Sequence, residues 1–478
     1  PLHLTTAGYA QLGADIQGDH AGMGHGFPAM LSGDGLTIVA ASQWSSEAAD
    51  VRAYAWNGTA WDQKGTDIYD HVANSGGPGY YWSRDPGRIW DVAINADGSR
   101  IALASRYGDY AVVVEFNGTD WEQLGQEIDQ TMLSGSNDGA ISVALSGDGT
   151  RIAVGIFQRN PDGTWIPGGV SVFDYDAGTK LWSDPGTFLD APPVTGQTYE
   201  LSTWWGWQVA MSADGAVVAM STRGQGSLIE NGVWRPAPGR VRTFHWNGTS
   251  WTKRGGLDEF EIMGLASMDS RGYGSEHFTL SGDGSRIAIG GMHGNPGGLA
   301  TAGYVQTHEW SGNKWNPLGS PIVGSYEKEQ LGRSAALSAD GMTLAVGVTP
   351  AYHNTNAAHP GGFVQVYVWN EGASPIPDWV KVDTLWGDDT DKSAEVLKND
   401  FGQTVTVSSD GAVVASGTGY GANVGHVRAF VRVDHASPPA LPSPAPPPPS
   451  PSPPPFTPPT PPTPVSYTHL RAHETDSY

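Results

Sequence analysis

A short apolar run, a small residue, Asp-Gly, a second apolar run and a glycine recur seven times along the chain. The best copy is VALSGDGTRIAVG (143–155). The others centre on Asp34, Asp97, Asp214, Asp283, Asp340 and Asp410, at spacings of 63, 51, 66, 69, 57 and 70 residues with Asp148 included. Each half is too short for a helix and is bounded by turn residues, so the pattern predicts two strands joined through Asp-Gly. A third strand follows, as in Val170–Tyr175. Several copies then continue through a second hairpin signal: YAWNGTAW (54–61), VEFNGTDW (114–121), FHWNGTSW (244–251) and HEWSGNKW (308–315). A fourth strand running Trp-x-x-x-Gly closes the unit, as in Trp61–Gly65.

Four antiparallel strands per repeat and seven repeats predict an all-β fold, a seven-bladed β-propeller over residues 1–434. Alternation within strands is apolar against small, as expected for blades covered on both faces. Ile152 and Val154 are expected to fill one inter-blade gap and Ala153 to face the other. The last repeat has a third strand, VRAFVR (427–432), but no Trp-bearing fourth. YAQLGADIQG (9–18) reads like that missing piece, so the N-terminal strand is expected to close the ring.

The pattern LSxDGxxIAVG…GxVxVFxWNGTxWxxLGxxI resembles FG-GAP-type propeller repeats, related to the integrin α-subunit head. In that family Asp-x-Asp-x-Asp-Gly loops hold calcium. The turns here carry one Asp, and the nearest approaches are Asp174, Asp176 and Gly178 and the cluster Asp388, Asp389 and Asp391. They read as turn residues and a solvated loop; no cofactor is expected, calcium being the one weak possibility. WD-repeat, kelch and sialidase Asp-box signatures are absent, and no enzyme activity is expected.

Chain direction places the Asp-Gly and Asn-Gly hairpins on one rim, the lower face, and the long connections on the upper face. Tyr80, Tyr81, Trp82, Trp204, Trp205 and Trp207 lie outside the repeat, in upper loops. They are expected either to pack over the blades or to form a surface that stacks on sugar rings or anchors a partner. The lower face carries three N-glycosylation sequons, at Asn57, Asn117 and Asn247. Asn-Gly also suits that turn for its geometry alone.

Composition narrows the partners. A net charge of −23 leaves no basic face for nucleic acid. No apolar run approaches a membrane span. There is no cysteine, hence no disulfide or thiolate chemistry. The chain opens on Pro1, so any signal peptide is expected to lie upstream.

After Asp434 the composition changes. Residues 435–464 are a Pro/Ser-rich segment expected to be polyproline II, extending on the order of 90 Å. It resembles the hydroxyproline-rich glycoproteins of plant and green-algal walls. That resemblance implies O-glycans on Pro438, Pro439, Pro442, Ser443, Pro444, Pro446, Pro447, Pro448, Pro449, Ser450, Pro451, Ser452, Pro453, Pro454, Pro455, Pro458, Pro459, Pro461, Pro462 and Pro464. Residues 465–478 are set apart: VSYTHLRAHET (465–475) matches a translated sequencing adapter and is expected to be an artefact. The reading is an extracellular structural glycoprotein of a cell wall or surface fibril, self-associating or joined to other matrix glycoproteins. The alternative is an adhesion or carbohydrate-binding propeller on a stalk.

Overall fold

The computed structural model describes residues 8–19, 24–42, 51–68, 89–105, 110–129, 132–133, 140–159, 165–184, 188–190, 199–200, 204–223, 227–230, 233–236, 240–255, 261–263, 278–295, 298–349, 361–373, 376–387, 401–419 and 425–434. All lie in the first of two units, Pro1–Leu441 and Pro442–Tyr478. The proline-rich segment and the adapter-like residues fall outside them.

Seven antiparallel sheets form a seven-bladed β-propeller. Blade 1 comprises His25–Leu31, Thr37–Ser42, Val51–Trp56 and Trp61–Gln63; blade 2, Ile89–Ile94, Arg100–Ser105, Tyr110–Phe116 and Trp121–Gln123. Blade 3 comprises Ala140–Leu145, Arg151–Arg159, Trp165–Asp176 and Leu181–Ser183; blade 4, Trp204–Met211, Val217–Arg223, Arg240–Trp246 and Trp251–Lys253. Blade 5 comprises Phe278–Leu280, Arg286–Gly291, Tyr304–Trp310 and Trp315–Val323; blade 6, Leu331–Leu337, Thr343–Val348, Phe363–Asn370 and Asp378–Trp386. In blade 7, Thr404–Val407, Val413–Gly417 and His426–Arg432 are completed by Tyr9–Gln11 and Ile16–Gln17, with Ala10 opposite Val431 and Ile16 opposite Val427. The ring closes through the N-terminal segment, as the defect in the last repeat requires.

The core is divided as the ring demands. Seven apolar clusters occupy the seven blade boundaries. Ile152 and Val154 pack against blade 2, and Ala153 packs against Trp205, Val209 and Val218 of blade 4. Apolar-against-small alternation is thus the signature of strands with a protein layer on each face.

The outer strand departs from expectation. It runs through Gly319 as one strand in blade 5, as the Trp-x-x-x-Gly pattern predicts, but stops just before the glycine in blades 1, 2 and 4, and in blades 2, 3, 4 and 7 a short second piece resumes the pairing. Gly65 shows why: its φ is +76°, and a Cβ there would lie 2.8 Å from the Trp121 ring of the next blade. The chain turns where the neighbouring indole needs room. A further element, the three-stranded sheet of Tyr199–Glu200, Ser227–Glu230 and Val233–Pro236, is built from segments read as irregular upper loops.

Polar staples join the blades at the lower face. Lys64, Arg100, Arg151, Arg254 and Arg286 each donate to the carbonyl of the Asp-Gly glycine in the following blade. Below them runs a ring of backbone hydrogen bonds: Asp34 N to Ala96, Ala96 to Gly147, Gly147 to Ala213, Ala213 to Gly282, Gly282 to Ala339, Ala339 to Ser409 and Ser409 to Gly33. These are the small residues of the repeat, placed so that adjacent main chains meet at 2.7–2.9 Å.

Candidate functional site

The first strands of all seven blades line a central channel with a cavity volume of about 700 Å³. Each strand runs down toward its Asp-Gly turn, so register along it sets depth in the channel. At the lower end, the neck level of the channel, stand the Gly, Ala and Ser residues of the backbone ring.

The upper end is different. The residue five places before the turn Ser or Asn of each repeat is Phe27, Trp90, Ile141, Trp207, Arg333 or Gln403 in the six blades described there, and each lines the channel. This position differs in chemical character around the ring. Blades 1 to 4 present an aromatic and aliphatic arc. Arg333 of blade 6 faces it across the ring, with His293 also in the lining. Trp90 and Trp207 are half-buried and meet edge to face, their centroids 6.4 Å apart and their planes at 82°.

One place further on, the side chains clip blade to blade. Asp91 Oδ2 accepts from Val143 N at 3.0 Å, and Ser142 Oγ donates to the Gly206 carbonyl at 2.9 Å. Gln208 Oε1 accepts from Phe278 N at 3.0 Å, and Ser334 and Thr404 donate to the Gly402 and Gly26 carbonyls. Asp91 also accepts from Val92 N. Burial nonetheless outweighs those two bonds and pushes its carboxyl up to about 7. Its role in holding blade 2 to blade 3 is achieved with a carboxyl near its midpoint at neutral pH.

Of the six aromatic residues expected in upper loops, the side chains of Trp205 and Trp207 are described. Trp204, Trp205 and Trp207 belong to the first strand of blade 4, not to a loop. Trp205 is 3% exposed, lies in the core between blades 3 and 4, and carries the Arg242 guanidinium 4.3 Å above its ring. Trp207 lines the channel. Tyr80, Tyr81 and Trp82 lie outside the described residues. The repeat tryptophans are structural, paired across the outer hairpins at 5.4–5.5 Å as in Trp56–Trp61, Trp246–Trp251 and Trp369–Trp379.

Trp90 and the channel position as a whole were missed in sequence. The signal was available in the alignment of the copies: the fifth residue before the turn holds Phe, Trp, Ile, Trp, Glu, Arg and Gln, large side chains at a position that the strand repeat itself does not prescribe.

At the lower face the three sequon asparagines are exposed at the tips of the same hairpin in blades 1, 2 and 4. Asn57 Oδ1 accepts from Thr59 N, Thr59 Oγ1 and Ala60 N at 2.8–2.9 Å, and its Nδ2 donates to Asp62. Asn117 repeats this with Thr119, Asp120 and Glu122, and Asn247 with Thr249 and Ser250. Nδ2 has two hydrogens and one is used here, so a sugar bond at the other leaves the turn intact.

The carboxylates flagged for calcium have other duties. Asp174 is paired two-pronged with Arg151, and Asp176 caps its own turn through Gly178 N and Thr179 N. Asp388, Asp389 and Asp391 lie outside the described residues. Among the described residues no group of three or more His, Asp or Glu is placed to hold a metal.

No protein-family model matches the chain, and no curated protein matches it in sequence. Solved structures do. The WD40 repeats of RRP9 superpose with a TM-score of 0.50 at 11% identity, covering 89% of this chain and 100% of that one. A putative 6-phosphogluconolactonase from Bacteroides uniformis gives 0.49 at 10% identity, covering 80% and 88%. Hydrazine synthase from Kuenenia stuttgartiensis gives 0.49 at 13%, covering 89% and 98%. At these identities the likeness is one of fold, and the fold is the propeller.

Proposed function

We propose that this chain is an extracellular structural glycoprotein, a rigid propeller bead joined to a glycosylated proline-rich rod. The observation that carries the reading is the sequon geometry: three exposed asparagines in one recurring turn, each keeping a hydrogen for a sugar, all on the lower face. Supporting it are the Ser-Pro and Pro-Pro blocks of 435–464 and the resemblance of the repeats to FG-GAP propellers. The reading assigns the protein no catalytic chemistry and places it at a cell wall or cell surface.

Glycopeptide mass spectrometry on protein from its native source tests it. Occupied Asn57, Asn117 and Asn247, with pentose-bearing hydroxyproline in 435–464, is the expected result. Bare asparagines and unmodified proline would sink it.

A second reading, an adhesion or carbohydrate-binding module, is favoured by one specific feature: the aromatic upper end of the channel, on the face opposite the sequons. Glycans on the lower turns would leave it clear.

A further inference from the structure

The geometry points to a saccharide-binding site at the upper end of the channel, built on Trp90 and Trp207 with Arg333 and His293 across from them. The inference rests on the second reading above and gives that reading a site and a ligand class.

Three observations, set beside the chemistry of a sugar ring, select the class. Trp90 and Trp207 are half-buried within the channel lining, and their edge-to-face arrangement makes a corner of one indole face and one indole edge. A pyranose ring has a flat C–H face that packs on an indole and a rim of hydroxyls that must keep hydrogen-bond partners. Opposite the corner the lining turns polar, with Arg333 on blade 6 and His293 after the second strand of blade 5. The cavity, about 700 Å³, falls within the range of roughly 300–1,000 Å³ of small-molecule sites.

The same lining disfavours other ligands. A wholly apolar molecule would take water from the guanidinium and imidazole and return no hydrogen bond to them. An organic cation would meet Arg333, while Asp91, the one carboxylate among the described lining residues, already accepts two backbone N–H bonds. A bare inorganic anion would gain nothing from the indoles. A ring with one apolar face and a polar rim satisfies both walls.

The contrast with the rest of the repeat supports a dedicated site. In blades 2, 3, 4, 6 and 7 the position one place further on is filled by hydrogen-bonding side chains that link successive blades. The neck position is always small. Packing and blade-to-blade hydrogen bonds account for those two levels, whereas the upper level carries large side chains, Trp90, Trp207 and Arg333 among them, that line the channel.

The experiment is isothermal titration of the full chain with a defined oligosaccharide panel: cellohexaose, xylohexaose, mannohexaose and oligogalacturonate. Binding of at least one is expected, weakened about tenfold or more by Trp207→Ala and by Trp90→Ala. Trp207→Phe, which keeps an aromatic face, should recover most of it. Trp386→Ala, at an exposed outer-strand tryptophan, should change nothing. Circular dichroism and melting confirm that each variant folds. Arg333→Gln separates acidic from neutral sugars: a loss confined to oligogalacturonate marks a carboxylate-bearing ligand, and a uniform loss marks hydroxyl recognition; no loss at all overturns the polar wall. Binding unaffected by both tryptophan variants overturns the site while leaving the carbohydrate-binding reading standing. No binding across the panel overturns both, and leaves the glycoprotein reading to its own test.

Discussion

Trp121 Nε1 donates a 2.6 Å hydrogen bond to the Lys64 carbonyl across the boundary between blades 1 and 2. The indole that makes this bond is fully buried and lies over Gly65. Trp61 repeats the bond to Leu12, and Trp182 to Leu124. The Trp-x-x-x-Gly signature is therefore a contact between consecutive blades: the glycine of one makes the seat for the tryptophan of the next.

Gly65→Ala should destabilise the ring although it adds one methyl. The residue must stay at positive φ, costing about 1–2 kcal/mol for an L side chain. The methyl also enters the 2.8 Å gap beneath Trp121. Trp121→Ala should cost about 3–5 kcal/mol by emptying the seat. Urea unfolding of both variants checks this, and a Gly65→Ala midpoint equal to the parent's would refute the seat.

Ring closure depends on a pair between chain ends. Arg428 in blade 7 grips Asp15 through Nε–Oδ1 at 2.7 Å and Nη2–Oδ2 at 2.6 Å, with side chains 10% and 13% exposed. Removing one partner strands the other, so Arg428→Ala should cost about 3–5 kcal/mol. Hydrogen exchange should show the loss first in residues 9–17 and their partners in 426–432.

Stability should respond to pH through opposing groups. Burial lowers His25 and His308 to about 4, so the unfolded chain binds more protons between about pH 4 and 6.5, and their contribution is lost as pH falls through that window. Asp91 is raised to about 7, so the folded chain holds the extra proton and stability from this group is lost as pH rises from about 4 to 7. Asp91→Asn should remove the second effect. Relative to the parent, the variant should gain stability with rising pH in that window, by up to about 1.4 kcal/mol per pH unit, and run parallel outside it. Denaturant midpoints across pH 4–8 measure the difference; parallel curves throughout would show Asp91 ionised freely in the fold.

Much of the scaffold was legible in the chain. Asp-Gly and Asn-Gly turns fix strands locally, and the absent outer strand after residue 432 could be matched to 9–18 because both ends carry the same repeat. The channel residues were harder to see. Trp90 and Trp207 lie beside apolar residues in a strand whose far face is core, and one residue of register separates Trp207, in the channel, from its sequence neighbours. Trp205, two places earlier, should share its face by simple alternation. A bulge between Trp205 and Val209 breaks that parity and sends Trp205 into the blade boundary. Periodicity alone does not encode a bulge.

The turn serine offers the sharpest test of how the repeat works. In blade 6 Ser338 Oγ donates to Asp340 Oδ1 and accepts from Thr343 N at 2.9 Å, so one hydroxyl ties both strands of the first hairpin to the turn. It is fully buried, and alanine there leaves the Thr343 N–H without its acceptor, at a cost of about 1–3 kcal/mol. Blade 2 carries Asn95 instead, whose Oδ1 takes the equivalent bond from Arg100 N at 2.9 Å. The repeat thus requires an acceptor at that point rather than serine itself. Asn95→Ser should fall within about 0.5 kcal/mol of the parent and Asn95→Ala well below it, read as melting shifts. Equal losses for the two would show that the side-chain amide, rather than the shared acceptor, holds that turn.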